Sequence, residues 1–464
     1  MATVDYCVIA AYLIIVTGLG IYLRKLASRN LESYFLGGKK IPWWALAASG
    51  AVSNFDITGT MWMVTVLYLL GMKSWWHHWM WGVMLPAFGL AYVAKWVRRS
   101  NVITGAEWML TRFGDDRGGR TARMAYALVA VVTCVSFIGY AFQGIGKFAQ
   151  IYVETGWLVE MFPVTETLLT TYKAQTIAIA ILAMSGIGDV TDPELVMPMV
   201  LQKYLPIGVK GLVIAGLLSA FMSTFSSTAN SGASYVVRDI WQPLFKPNAD
   251  EHHLVRYSYI ATIGVILAGI VVGLYAESIR SIWGWIMMAL GGAVIVPNVL
   301  RWHWWRINGW GYAAGTLGGI ALALTVLFFP DMPMYVQFSV ISIGSLVACL
   351  VASILTAPAG EETLRKFYRT VRPFGAWGPV RKTCELSAGE LSDPAESPWR
   401  TVFNTAIACC GVTGLYLSPM YLIGHWYFQA CMWLIVVLSA SMVLYFTWYR
   451  YLPKEDFETA GDES

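Results

Sequence analysis

The sequence predicts an all-α polytopic membrane protein. Of its 464 residues, 57% are hydrophobic and only 13% are charged, against the roughly 25% charged residues of soluble domains. A soluble core has no use for that much apolar sequence. Apolar runs also recur along the whole chain, each of the order of the roughly 20 residues that a helix needs to cross a bilayer. They lie at 5–24, 43–71, 75–97, 124–152, 206–237, 256–276, 282–300, 310–330, 334–356, 401–421 and 426–448. The expected architecture is therefore one transmembrane domain over 1–464 with about 11 spans.

Basic residues collect on the cytoplasmic side of a membrane. Arg24, Lys25, Arg29, Lys39 and Lys40 fill the first loop, and Lys95, Arg98, Arg99, Arg112, Arg117, Arg120 and Arg123 the third. Later groups follow at Arg238 to Arg256, Arg301 and Arg306, Arg365 to Arg400, and Arg450 and Lys454. The loops at 72–74, 277–280, 330–334 and 419–425 are short and nearly uncharged. The N-terminus is thus expected outside and the C-terminus in the cytoplasm, in the cell (inner) membrane. Tryptophans at the ends of apolar runs (Trp43, Trp44, Trp75, Trp76, Trp302, Trp304 and Trp305) read as interfacial anchors. The seven cysteines have neither paired nor metal-ligand spacing and read as structural thiols. The first apolar run has no basic leader and reads as a retained helix. A net charge of +4 gives no sign of a nucleic-acid partner; the lipid bilayer is the partner that composition implies.

The interval between 152 and 206 is anomalous. The helix before it runs outward and the helix after it inward, so an even number of crossings must intervene. The interval holds only one modest apolar run, Ala174 to Gly188, beside Glu154, Glu160, Pro163 and Glu166. We read 153–205 as an irregular or remnant segment. The stretch 357–400 mixes Pro, Gly, Arg and Glu without periodicity and reads as a solvated cytoplasmic linker.

Two features carry chemistry. The second span contains Ser53-Asn-Phe-Asp-Ile-Thr-Gly59. A carboxylate at membrane depth is costly and marks a functional site by default, and Asp56 among polar residues before Gly59 suits a helix that unwinds. Unwound backbone in a bilayer must line a cavity or be buried in protein, where its carbonyls can coordinate cations. The second feature is Ala220-Phe-Met-Ser-Thr224. Residues three and four apart share a helix face, so the Ala220 carbonyl and the Ser223 and Thr224 hydroxyls can converge, an oxygen set that suits a hard cation. The alternative is that these hydroxyls only bond the carbonyl one turn back or join helices.

With both motifs in view the chain resembles the sodium:solute symporter family, which includes proline, pantothenate and sodium–sugar carriers. Leu31-Glu-Ser-Tyr-Phe-Leu-Gly-Gly-Lys-Lys-Ile-Pro-Trp-Trp44 resembles the entry to its first core helix. Gly211 through Thr224, with Asn230, Ser231 and Arg238-Asp239-Ile240, resembles its eighth. Leu290 through Asn308 resembles the tenth and its exit. The resemblance implies a LeuT-like inverted-repeat transporter fold and sodium as coupling ion. Carried over, the sodium ligands are the carbonyls of Asn54, Ile57 and Ala220 and the hydroxyls of Ser223 and Thr224. Asp56 and Thr58 match the acidic and hydroxyl positions of the proline carrier; sugar carriers lack that carboxylate.

The departure lies between Gly156 and Val190, where the family has four more crossings. Much of core helices four to seven is missing, so the fold is expected to be incomplete in the first repeat and at the start of the second. Asp192-Pro-Glu-Leu-Val-Met-Pro198 resembles the approach to the eighth helix, where the resemblance resumes. Met61, Trp62 and Gln143 join Asp56 and Thr58 as substrate or coupling candidates. Lys147 lies near the outer end of its span and is expected to snorkel. His77-His78 lacks ligand spacing, and His252-His253 reads as solvated. No phosphate loop, zinc-protease motif or nucleophile elbow occurs, so an enzyme is not expected. The expected function is sodium-coupled symport of a small organic solute by alternating access. The alternative is a shortened, non-transporting homologue that keeps a sodium site or binds a partner.

Overall fold

The computed structural model describes residues 1–27, 42, 44–45, 56–75, 84–100, 102, 104–152, 192–326, 332–384 and 397–452. Within them the apolar runs are helices, which satisfy their own backbone hydrogen bonds in the absence of water. In chain order these are α1 (Thr3–Ala27), α2 (Ile57–Leu70), π-helical Met84–Val93 continuing as α3 (Ala94–Ser100), α4 (Glu107–Phe113) and α5 (Arg117–Tyr152). A 3-10 turn, Pro193–Leu195, then leads into α6 (Val196–Tyr204). α7 (Val209–Ser234) runs on through π-helical Tyr235–Trp241 into α8 (Gln242–Phe245), followed by α9 (Glu251–Tyr275). α10 (Ile279–Trp285), π-helical Ile286–Gly291 and α11 (Gly292–His303) form one broken run. α12 (Gly309–Val326), α13 (Met334–Leu355), α14 (Glu361–Val371), α15 (Gly378–Thr383), α16 (Pro398–Ile423) and α17 (Tyr427–Thr447) complete the order.

Among the described residues eight helices are long and apolar enough to cross a membrane. The expected spans 43–71 and 75–97 lie partly outside the described residues, and 282–300 is the α10–α11 run. α5 is the central rod. Its 36 residues reach about 54 Å at 1.5 Å per residue, and it packs against α2, α7, α9 and α12. Its contact with α9 is close because glycines face each other. A Cβ on Gly139 would stand 2.9 Å from Val272, and one on Gly273 would stand 2.8 Å from the Gly139 carbonyl. Small residues let membrane helices approach backbone to backbone.

Both ends of the bundle are polar and locked. At one end Arg123 of α5 pairs with Asp239 at 2.8 Å and donates to the Arg238 carbonyl. At the other, the buried Asp5 carboxylate of α1 accepts from the Gly208 and Gly211 amides at 2.8 and 3.0 Å. These are free donors at the start of α7, where a helix has no partner of its own.

The structure departs from three expectations at this level. Residues 192–204, the end of the segment read as irregular, form the 3-10 turn and α6; 153–191 lie outside the described residues. Trp302 is no interfacial anchor: it is 5% exposed and packs in a cluster with Trp96, Trp108, Phe367 and Trp377. Much of 357–400 is not a solvated linker. α14 buries Leu364, Phe367, Tyr368 and Val371 against that cluster. The apolar positions recur at i, i+3, i+4 and i+7, which is one helix face.

Arg112 organises this cap from within. Its guanidinium is fully buried and donates to the carbonyls of Arg301, Trp304, Trp305 and Ile307, at 2.9 to 3.4 Å. It thereby closes the C-terminal end of α11, whose last carbonyls lack helical partners. The rings of Phe113, Phe367 and Trp377 also surround it. Burial, reinforced by the Arg301 charge, pushes Arg112 down to about 9, so it is still cationic at neutral pH. Residues 374–377 seal the assembly. Ala376 donates to the His303 carbonyl at 2.7 Å and the Trp377 indole to the Trp302 carbonyl at 2.7 Å. Gly375, at φ +124°, is required there, since a Cβ would press on the His303 carbonyl at 2.5 Å.

Candidate functional site

α2 begins in the middle of the bundle. Its first turn faces Ala141 of α5, to whose carbonyl the Thr58 hydroxyl donates at 3.4 Å. Ala141 is 11 residues short of the helix end at Tyr152, or about 16 Å. Asp56 is the N-cap: its carboxylate accepts from the Gly59 amide, and its carbonyl accepts from the Thr60 hydroxyl at 2.7 Å. Asp is among the preferred caps because its oxygen satisfies a free amide. Asp56 is 6% exposed, and among the described residues no cation pairs with it. The helix therefore starts where the sequence predicts the break, and its amide-rich end, which carries partial positive charge, sits at mid-depth.

α7 packs against α2. The Thr224 hydroxyl lies 3.1 Å from the Ala220 carbonyl and donates to it. Two of the expected ligand oxygens thus face one point, in the same geometry that the back-bonding alternative requires. Ala220 is buried, while Ser223 and Thr224 are half-buried. Ile57 is fully buried. Asn54 lies outside the described residues, as do His77 and His78.

The other candidates divide. Met61 and Trp62 are buried above Asp56, with Trp62 against Trp283 at 5.1 Å between ring centroids and Trp283 against Tyr140 at 5.4 Å. Thr58 is fully buried against α5, and Gly144 makes room for it: any Cβ there would overlap the Thr58 side chain. Gln143 is buried and donates to the Ala276 carbonyl at the end of α9, at 2.8 Å.

Lys147 does not snorkel. Its ammonium is buried between Asp192 and Glu194, at 2.7 and 2.6 Å. Two carboxylates within reach stabilise the charge that solvent would otherwise hold. Glu194 also accepts from the Ile279 and Arg280 amides at 3.1 and 3.0 Å, capping α10. The Thr65 hydroxyl of α2 donates to the Pro193 carbonyl at 3.1 Å. The single turn 193–195 therefore joins α2, α5 and α10. Only Asp192-Pro-Glu, a helix-start signature, pointed to it in the sequence; Asp5 and Arg112 gave no comparable signal.

Above Asp56, then, lie Met61, the Trp62–Trp283–Tyr140 aromatic group and the 193–195 turn. Toward the arginine-rich end a cavity of about 380 Å³ opens, lined by Tyr126, Thr133 and Cys134 of α5 with Tyr235, Asn298 and Tyr312. Its lining carries no charge. Among the described residues no cluster of three His, Cys, Asp or Glu side chains could hold a metal.

Residues 149–319, from the end of α5 to most of α12, match a family model. That model is the sodium:solute symporter family. The family likeness extends to curated relatives. A sodium/glucose cotransporter of Vibrio parahaemolyticus is 20% identical, over 81% of this chain and 95% of that protein. The osmoregulated proline transporter OpuE of Bacillus subtilis (strain 168) is 23% identical over half of each chain. A Bos taurus sodium/mannose cotransporter is 30% identical over 31% of this chain and 24% of its own length. The alignment to the Vibrio protein runs over 518 positions, more than the 464 residues here, so that cotransporter carries a substantial stretch without a counterpart. Among solved structures, a Na+-coupled sialic acid symporter in a substrate-bound outward-open state aligns with a TM-score of 0.52. It is 16% identical and covers 77% of this chain and 99% of that one. The fold is the LeuT-like arrangement of these symporters, which are carriers and not enzymes.

Proposed function

We propose that this protein is a sodium-coupled symporter of a small organic solute, working by alternating access. Sodium binds between α2 and α7, held by the carbonyls of Asn54, Ile57 and Ala220 and the hydroxyls of Ser223 and Thr224, with Asp56 beside it. The observation that carries this reading is the mid-depth start of α2. It puts a buried carboxylate without a cationic partner among the described residues on a helix that packs against α7, and on α7 the Thr224 hydroxyl meets the Ala220 carbonyl. Met61, Trp62, Thr58 and Gln143 shape the solute side of the same space. The packed aromatic group above Asp56 and the cavity toward the arginine-rich end fit a carrier that alternates its access, with that end cytoplasmic. Sodium favours one of the two states only through tighter binding to it.

Sodium-dependent thermal stabilisation of the purified chain tests the site, with potassium and choline as controls. Binding to the native state alone adds about 2.7 kcal/mol at a hundredfold excess over Kd. A sodium-selective shift that Thr224→Ala or Ser223→Ala moves to higher concentration supports the assignment; sodium dependence unchanged in both variants overturns it.

A second reading has its own support. The sodium/glucose cotransporter aligns over more positions than this chain contains, which favours a shortened homologue that binds sodium without moving solute. Uptake into proteoliposomes decides between them: a sodium-selective shift with no gradient-driven uptake of proline, glucose or myo-inositol supports the shorter role.

A further inference from the structure

The cap formed by residues 359–384 holds six basic and two acidic residues, a net +4 that equals the charge of the entire chain. Its apolar face is spent internally, on Leu364, Phe367, Tyr368, Val371, Trp377 and Val380. The opposite face is exposed and basic. Arg365 pairs with Glu361 at 2.6 Å, but among the described residues Lys366, Arg369, Arg381 and Lys382 have no carboxylate within ion-pair distance. The two helices present one surface. Cys384, at the end of α15, lies against the Arg365 carbonyl at 3.8 Å. Burial pushes its thiol up, and the charges of Arg369 and Arg365 pull it partly back.

The position of this surface is set by the chain. α13 ends at Leu355 and α16 starts at Pro398, and both are membrane-crossing by length and composition. The cap is therefore tethered on both sides to points where the chain crosses the bilayer surface. Trp310, Trp399 and Tyr449 project outward near this end at 43, 80 and 60% exposure, and aromatic side chains of this kind settle at headgroup level. Lys and Arg side chains can reach several ångströms from their backbone to place their charge among headgroups.

We propose that the basic face of the cap binds the headgroups of anionic phospholipids in the leaflet beside it, through Lys366, Arg369, Arg381 and Lys382. Cations at a membrane surface gain from an anionic leaflet, and the gain falls off within a Debye length. The cap rests on the end of α11 through Arg112 and on α3 through the Arg99–Val371 hydrogen bond at 3.1 Å. Lipid bound there steadies the arginine-rich ends of both.

The test is hydrogen–deuterium exchange of the full chain in nanodiscs of phosphatidylcholine alone or with phosphatidylglycerol. Anionic lipid is expected to slow exchange across 361–384 by about fivefold, what one surface cation gains from such a leaflet, and high salt to abolish the effect. The variant Lys366→Gln/Arg369→Gln/Arg381→Gln/Lys382→Gln should match the wild type in phosphatidylcholine and lose the response. If it does not fold, Lys366→Gln/Arg369→Gln and Arg381→Gln/Lys382→Gln should each lose part. Equal exchange in the two lipids overturns the proposal. So does equal protection by inorganic phosphate in phosphatidylcholine discs, which would mark a small-anion site. The readout needs neither sodium nor solute, so its failure leaves the transport reading intact.

Discussion

The Lys147 ammonium and the Glu194 carboxylate lie 2.6 Å apart, both more than nine-tenths buried. Glu194 spends its remaining capacity on the first amides of α10. One ion pair therefore ties α5 to α10, and Asp192 adds a second acceptor for the same ammonium. Removing one partner of a buried pair strands the other charge, at a cost of about 3–5 kcal/mol. Lys147→Met should lower the melting temperature sharply in detergent. Lys147→Met/Glu194→Gln should recover part of the loss, because less charge is left stranded. A double mutant whose loss equals the sum of the Lys147→Met and Glu194→Gln losses would show that the pair is not coupled.

Asp56→Asn separates capping from ion binding. Asn caps a helix as well as Asp does, so stability in potassium should change by less than about 1 kcal/mol. Sodium affinity should fall by about tenfold, or about 1.4 kcal/mol. Sodium titrations followed by thermal shift read both quantities. A variant with wild-type sodium response would reduce Asp56 to a cap.

Arg112 is held by four carbonyls and three rings. Lysine has neither the planar fork nor the stacking face. Arg112→Lys is expected to cost about 3 kcal/mol, the lower end for breaking a buried charge arrangement. The loss should appear as faster hydrogen exchange in both α14 and residues 301–307. Confinement of the change to α4 would contradict the bridging role.

Two glycines of α7 should respond in opposite directions. A Cβ on Gly211 would stand 2.7 Å from the Asp5 Cα, whereas one on Gly216 meets nothing within 4 Å. Gly211→Ala should destabilise by about 1–3 kcal/mol through overpacking. Gly216→Ala should stabilise by about 0.5–1 kcal/mol through helix propensity. Thermal melts of the two variants check the docking of α1, and equal effects would speak against it.

Much of this was legible because it is local. Apolar length identifies helices, and the polar run at 53–59 contains Asp56, the residue that caps the start of α2. The spacing of Ala220 and Thr224 put a hydroxyl against the carbonyl one turn back because a helix brings such residues together. What the sequence concealed lies between distant segments. Lys147 looked free to snorkel because its partners are 45 and 47 residues away, and the turn that carries them sits in a segment with little periodic pattern. Trp302 looked interfacial because it ends an apolar run, yet α14 folds over it. The amphipathic period of α14 was present in 361–371, but the Pro and Gly around it broke the signal at the scale of the whole linker.

The sequence by itself determined that this chain is helical, that it crosses a membrane, and that a carboxylate sits where α2 begins. Hydrophobic length, helical period and the cost of a lone carboxylate in hydrocarbon act over a few residues and can be read from them. Only the tertiary structure decided which charges are paired, which tryptophans are core, and that one turn and one ion pair join α2, α5 and α10. Those outcomes depend on which segments meet, and burial of a charge is tolerated only where another part of the chain arrives to satisfy it.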